Sequence, residues 1–237
     1  MASNYNPKIV TDGLVLCLDA ADKNSYPGSG TTWYDLSGNG NDGTISGCTF
    51  STDYNGIFNF DGSNDKVDIT PSTHTTVSET TISMWCRVES NAGSYRCFIS
   101  SRTAASGVND YLTGFNLDMM SDSSDAFDQF NIEGAGRIGG ATDQMKDSLA
   151  FNNWTHISVT KSTSVIKTKI NLSAQSDRSR SDVAMGLQYI CIGARYYSSA
   201  NRGYFDGDIA NVHLYDRVLT DSEIYQNFNA QRSRFGV

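Results

Sequence analysis

The chain has 237 residues, a formal net charge of −8, 38% hydrophobic and 11% aromatic residues, and only 3 prolines beside 21 glycines. That length suits one all-β domain, and the hydrophobic fraction supplies a large core and argues against disorder. The acidic balance, with no basic cluster beyond the Arg178/Arg180 and Arg232/Arg234 pairs, excludes nucleic acid and anionic membrane surfaces as partners.

Residues 1–12 read as an N-terminal arm ahead of a single domain over 13–237. The opening MASNYNPKIV lacks the charged-then-apolar order of a signal peptide. No later apolar run reaches the about 20 residues of a membrane-spanning helix, so no membrane insertion is expected. The first strand-like run is 14–18, followed by an oxygen-rich loop containing Asp19, Asp22 and Asn24. Residues 33–44, WYDLSGNGNDGT, form the densest turn cluster. Gly and Asn tolerate positive φ, so a tight surface loop is expected there. A phosphate-cradling loop would need a Lys-Ser/Thr pair and a following helix, which this segment lacks.

Residues 56–60 and 66–69 then flank an Asp61-Gly62 turn, and 81–88 places Ile82, Met84, Cys86 and Val88 on one face. Further short runs follow at 95–100, 114–119, 127–132, 154–160, 165–172 and 189–193. In the last run, 209–215, Ala210, Val212 and Leu214 alternate with Asn211, His213 and Tyr215, the period of a half-buried strand. Ten or so short strands between turn signals predict a sandwich or barrel. One helix is predicted, from 221 to about 231. Thr220 serves as its N-cap, Glu223 completes a capping box, and Leu219 staples onto Ile224.

The five cysteines, Cys17, Cys48, Cys86, Cys97 and Cys191, are odd in number and none has metal-ligand spacing, so free buried thiols are expected. His74, His156 and His213 fall in unrelated contexts, and neither HExxH nor GxSxG is present. Asp118, Asp122, Asp125 and Asp128 cluster without the glycine and terminal glutamate of a calcium loop, which reads as a polar hairpin tip. The segment 195–202, RYYSSANR, combines aromatic faces with planar polar groups between two predicted strands. Tyr196, Tyr197, Asn201 and Arg202 are therefore the candidate ligand-binding residues. The same composition also suits a protein interface. Trp33 and Tyr34 are expected to pack under their loop, and Trp85 and Trp154 to be structural.

Several segments, in this order, resemble the laminin-G-like branch of the concanavalin A-like lectin/glucanase superfamily. They are the Phe60-Asp61-Gly62 hairpin with Asp65 and Val67, the strand Thr81-Ile82-Ser83-Met84-Trp85, Asn153 to Thr160 (NWTHISVT), Tyr189 to Gly193 (YICIG), and the C-terminal strand and helix. The resemblance implies a two-sheet antiparallel β-sandwich, a jelly roll, with a short C-terminal helix. The residues 13–45 and the closing NFNAQRSRFG are similar to versions in tailed-phage structural proteins. This implies a virion protein on a capsid or tail appendage, with other virion proteins and surface glycans as partners. A symmetric homo-oligomer fits display proteins of that kind.

By the same analogy Asp208 is a partner for Asp19 and Asp22 in a calcium site. Where family members carry Asp-Glu in the last strand, however, this chain has Ala210 and Asn211. Glucanases on this fold share an E-x-D-x-x-E strand. None of Glu79, Glu89, Glu133 and Glu223 has an aspartate two residues later, so no catalysis is expected. The alternative is a glycan-degrading enzyme or a free carbohydrate-binding protein.

Overall fold

The computed structural model describes residues 8–70, 76–89, 95–103, 114–120, 129–134, 149–175, 177–179, 184–197 and 200–237. Two antiparallel sheets face each other. The first runs Ser173–Ala174, Val165–Ile170, Thr155–Lys161, Thr80–Val88, Asp206–Tyr215, Ile57–Asp61, Thr49–Ser51. The long Asp206–Tyr215 strand serves two neighbours on one edge: Ile57–Asp61 pairs with its first half and Leu14–Asp19 with its second. The second sheet runs Gln129–Gly134, Phe115–Met120, Tyr95–Arg102, Tyr189–Ile192, Lys66–Ile69, Gly43–Ser46, Thr32–Trp33. The predicted jelly-roll sandwich is therefore present.

Alternation decides which side chains meet between the sheets. Ile82, Met84 and Cys86, Val212 and Leu214, Val67 and Ile69, Phe115 and Leu117, and Ile190 and Ile192 all join one buried cluster. Trp33 enters the same interior, fully buried with its ring 4.7 Å from Phe58, whereas Tyr34 is 44% exposed. Gly207 sits in the central strand because Cβ there would fall 2.1 Å from the Arg87 carbonyl oxygen.

The glycine-rich loop is a surface loop, as expected, and it also covers a sheet edge. Asp35 Oδ1 accepts from the Cys17 N–H at 2.9 Å, and the Leu36 N–H donates to the Cys17 carbonyl at 2.9 Å. Asn41 Nδ2 donates to the Val15 carbonyl at 2.7 Å. These contacts satisfy the open side of Leu14–Asp19, which would otherwise be a template for pairing with another chain. The residues flanking the loop pair as a short ribbon, Thr32–Trp33 with Gly43–Ser46, which sequence reading did not resolve because each strand is too short to show a period.

The helix spans Asp221–Gln231 with both halves of its capping box formed: Thr220 Oγ1 accepts from the Glu223 N–H, and Glu223 Oε2 accepts from the Thr220 N–H at 2.8 Å. Leu219 and Ile224 share a cluster with Val10 and Tyr215. Val10, from the segment read as an arm, donates its N–H to Asn227 Oδ1 at 2.8 Å, so residues 8–12 lie on their own domain. Residues 1–7 are outside the described part. Phe228 of the helix and Phe235 beyond it stack on Trp85 at 5.4 and 4.4 Å, closing the outward face of the first sheet. Among the described residues no helix is long and apolar enough to cross a membrane.

All five cysteines are free, and four are buried. Burial pushes the Cys17 and Cys48 thiols up to about 12 and holds Cys86 and Cys191 higher still. Because the thiolate is the nucleophile, a disulfide reagent at about pH 8 is expected to leave the native protein unmodified and to titrate five thiols after unfolding. Rapid modification of a native thiol would contradict this packing.

Candidate binding site

The outward face of the second sheet is polar, yet much of it is buried. Alternation turns Asn116 and Asp118 outward from Phe115 and Leu117, and Tyr189 and Cys191 outward from Ile190 and Ile192. Register sets Asn116 opposite Ser100, Ser100 opposite Cys191, and Arg102 opposite Tyr189. Over this face folds a two-stranded ribbon, Arg195–Tyr197 paired with Ala200–Arg202. The ribbon is tied down at its base, where Ser100 Oγ donates to the Ala194 carbonyl at 2.8 Å.

Two groups of side chains result. In the first, Asp118 Oδ2 accepts from Arg195 Nη1 at 2.9 Å and from Asn116 Nδ2 at 2.5 Å. Arg195 is 5% exposed, and Asn116 and Asp118 are fully buried. The guanidinium neutralises the carboxylate, a condition for burying either. Asn116 Oδ1 is buried with no hydrogen-bond partner among the described residues. Such a group is matched by water or by a ligand. In the second, the Arg102 guanidinium carbon lies 4.3 Å from the Tyr196 ring centre and 5.6 Å from that of Tyr189. Cation–π contact holds these flat groups in a fixed arrangement. The half-buried Tyr189 and Tyr196 rings are the exposed part of this arrangement, and the buried Arg102 and the Asn116–Asp118–Arg195 group beneath hold them in place. Aromatic faces positioned this way suit stacking on a polyhydroxylated ligand.

Of the residues predicted from sequence, Tyr196 is in this site. Asn201 faces it across the ribbon and is half-buried, and Arg202 is exposed opposite Arg195. The side chain of Tyr197 lies outside the described part. The segment is a ribbon rather than the loop expected, since its strands are too short to show a period. Sequence reading missed Arg102, Asn116, Tyr189 and the pairing role of Arg195. It also read Asp118 as part of a hairpin tip, whereas Asp118 stands inside a strand; Asp122, Asp125 and Asp128 fall outside the described residues. The available signal was the alternation of FNLD, which places both polar residues on one face.

The three carboxylates considered for calcium are claimed separately. Asp19 Oδ1 accepts from Arg234 Nη1 at 2.8 Å, and Asp22 Oδ1 accepts from the Asn24 N–H at 2.8 Å in a local turn. Asp208 accepts from Arg87 Nε at 2.7 Å and Asn59 Nδ2 at 3.2 Å. Among the described residues no group of three or more His, Cys, Asp or Glu side chains is set to hold a metal ion.

The histidines are less unrelated than the sequence suggested. His156 and His213 lie on the same outward face of the first sheet, beneath the C-terminal segment, and Ser83 Oγ shares a 2.9 Å hydrogen bond with His156 Nε2. Burial first, then the neighbouring His213, lowers His156 to about 3. His74 lies outside the described residues.

A family model for the concanavalin A-like lectin/glucanases superfamily matches residues 61–225, more than half of the chain. The chain belongs to this superfamily. No curated protein matches its sequence. Among solved structures, this superfamily member superposes on the sialidase of Trypanosoma rangeli in complex with sialic acid with a TM-score of 0.68 and 14% identity, over 95% of this chain and 34% of that one. It also superposes on the receptor binding domain of botulinum neurotoxin C/D mosaic serotype (TM-score 0.61, 15% identity, 94% and 52% covered). A third match is domain 4 of an extracellular arabinanase of Geobacillus stearothermophilus in complex with arabinotriose, with a TM-score of 0.61, 14% identity and 92% and 98% covered. The chain thus spans about a third of the sialidase and nearly all of the arabinanase domain, and at these identities the likeness is one of fold.

Proposed function

We propose that this lectin-like domain is a non-catalytic recognition module that binds glycan on the outward face of its second sheet. The observation that carries the reading is the fixed set of Tyr189, Arg102 and Tyr196 beside the buried Asn116–Asp118–Arg195 group. The arabinotriose-bound domain of the same fold supports a sugar as ligand. Commitment of carboxylates elsewhere supports the absence of catalysis: Glu223 caps the helix and pairs with Arg217, Asp118 pairs with Arg195, and Asp208 with Arg87. The same domain is proposed to serve as a virion structural protein of a tailed phage, on the capsid or on a tail appendage, as a symmetric homo-oligomer. Support for that role is the similarity of residues 13–45 and of the C-terminal tail to phage versions.

A glycan array probed with the purified chain tests the binding role. At least one saccharide is expected to bind, and Tyr196→Ala to weaken it about tenfold, or about 1.4 kcal/mol. An array without hits, together with tight binding to isolated capsids, would replace the sugar by a protein partner. Release of reducing ends from a host polysaccharide would restore an enzyme. Cryo-electron microscopy of native particles locates the chain; its absence from them would end the virion reading.

A further inference from the structure

A second platform lies on the outward face of the first sheet. Register carries one row of side chains across it, Asn59 opposite Asp208 and Asp208 opposite Arg87. The Arg87 guanidinium carbon in turn lies 5.9 Å from the Trp154 ring centre. Asp208, 2% exposed, anchors the row by accepting from both Asn59 and Arg87. Arg87 Nη2 also reaches Glu89 Oε1 at 2.9 Å, and the side chains of Arg87 and Glu89 are 27% and 39% exposed. The row is therefore fixed at its base and open at its top. Among the described residues Arg87 Nη1 and Asn59 Oδ1 have no protein partner.

Tyr54 stands beside this row, 40% exposed, packed edge-on against Trp154 at 5.1 Å and near Phe235 at 6.1 Å. Its backbone is left-handed, φ 50 and ψ 32, and Asn55 follows at φ 67. That conformation is costly for a bulky residue, and such strain persists only where the surroundings enforce it. Here Arg234 enforces it, donating from Nε to the Tyr54 carbonyl at 2.5 Å and from Nη2 to the Gly56 carbonyl. Backbone strain thus holds a large ring half out of the protein, next to a row of oriented polar groups. Packing alone does not require this, since Trp154 and Phe235 already cover Trp85.

The geometry points to a second carbohydrate site, in which Tyr54 stacks on the C–H face of an uncharged pyranose while Arg87 Nη1 and Asn59 Oδ1 meet its hydroxyls. One ring and a few polar groups suit a single sugar; a protein partner buries about 800 Å² on each side. Two carboxylates stand in the row against one guanidinium, in a chain of net charge −8, which selects against carboxylated or sulfated sugars. The site uses none of the residues of the second-sheet site and does not depend on it.

The test is a titration of the ¹⁵N-labelled full chain with the methyl glycosides of glucose, galactose, mannose and xylose. Concentrations run to about 10 mM, tenfold above a dissociation constant of about 1 mM. At least one is expected to shift the Trp154 indole N–H and the Arg87 Nε–H saturably. Tyr54→Asn, a residue that tolerates the left-handed backbone, is expected to weaken that binding at least tenfold, Tyr54→Phe to preserve it, and Tyr196→Ala to leave it unchanged. No shift at either reporter with any of the four sugars overturns the site, as does a shift that Tyr54→Asn does not alter. Failure here is distinct from failure of the second-sheet site, whose reporters are the Arg102 and Arg195 Nε–H signals.

Discussion

Trp85→Ala is expected to destabilise the protein by about 3–5 kcal/mol, the cost of truncating a fully buried tryptophan. Trp85 is 0% exposed and is the hub of the outward face of the first sheet. Phe228 and Phe235 stack on it at 5.4 and 4.4 Å, and His156 lies 5.2 Å away. Removing the indole takes away the surface on which the C-terminal helix and tail rest, so collapse of the neighbours cannot refill the space without moving both. For a chain of this length such a loss lowers the melting temperature by roughly 6–20 °C. Urea denaturation followed by tryptophan fluorescence checks it. A loss under about 1 kcal/mol would mean that the C-terminal segment is held by the cap and Ile224 alone.

Stability is expected to fall steeply as pH drops from about 6.5 toward 4, with His213 a principal cause. His213 is 1% exposed, and neither ring nitrogen has a hydrogen-bond partner among the described residues. Burial lowers it from 6.5 to about 4; Asp19 opposes that shift and Arg234 adds to it. A folded value below the unfolded one means that the unfolded chain binds the proton more readily. The stability is therefore complete above about pH 6.5, is lost through the window down to about 4, and changes no further below it on this residue's account. At about 1.4 kcal/mol per unit the loss from His213 is roughly 3 kcal/mol. His156, lowered to about 3, extends the same trend further into acid. Carboxylates titrate in part of this window, so the informative quantity is the difference between parent and His213→Gln in unfolding free energy against pH. The variant is expected to lose roughly 3 kcal/mol less between pH 6.5 and 4; an unchanged slope would place His213 in contact with water.

Both effects arise on a face whose packing is only partly visible in the chain. The alternation of 81–88, the apolar YICIG run and the Thr220–Glu223 capping box are properties of neighbouring residues, and the structure follows them closely. The alternation of 209–215 is broken by a register shift between Ile209 and Asn211, so Ala210 joins Trp85 and Phe228 on the outward face while Ile209, Val212 and Leu214 join the core. The strand is buried on both faces rather than half-buried because the C-terminal segment covers it. The expected helix at 221–231 matches Asp221–Gln231 because capping and stapling act within one turn. Strand Asp206–Tyr215 begins three residues earlier than its alternation suggested, since Gly207 lies in the central sheet for steric reasons that only the approach of Arg87 makes clear. Ribbons of two or three residues, such as Arg195–Tyr197 with Ala200–Arg202, carry no readable period at all.

The two proposed binding surfaces divide in the same way. Tyr196 was legible as an aromatic residue among planar polar neighbours, and Asp19, Asp22 and Asp208 as oxygen donors, because residue type alone supplies that chemistry. What each group does was decided by tertiary structure. Arg195 meets Asp118 across 77 residues, Arg87 meets Asp208 across 121, and Arg234 meets Asp19 across 215. Those pairings turn two of the candidate calcium ligands, Asp208 and Asp19, and the supposed hairpin-tip Asp118 into anchors for arginines. They follow from strand register and sheet order, which bring distant segments together with no local trace in the sequence, whereas fold class and helix capping rest on contacts a few residues apart.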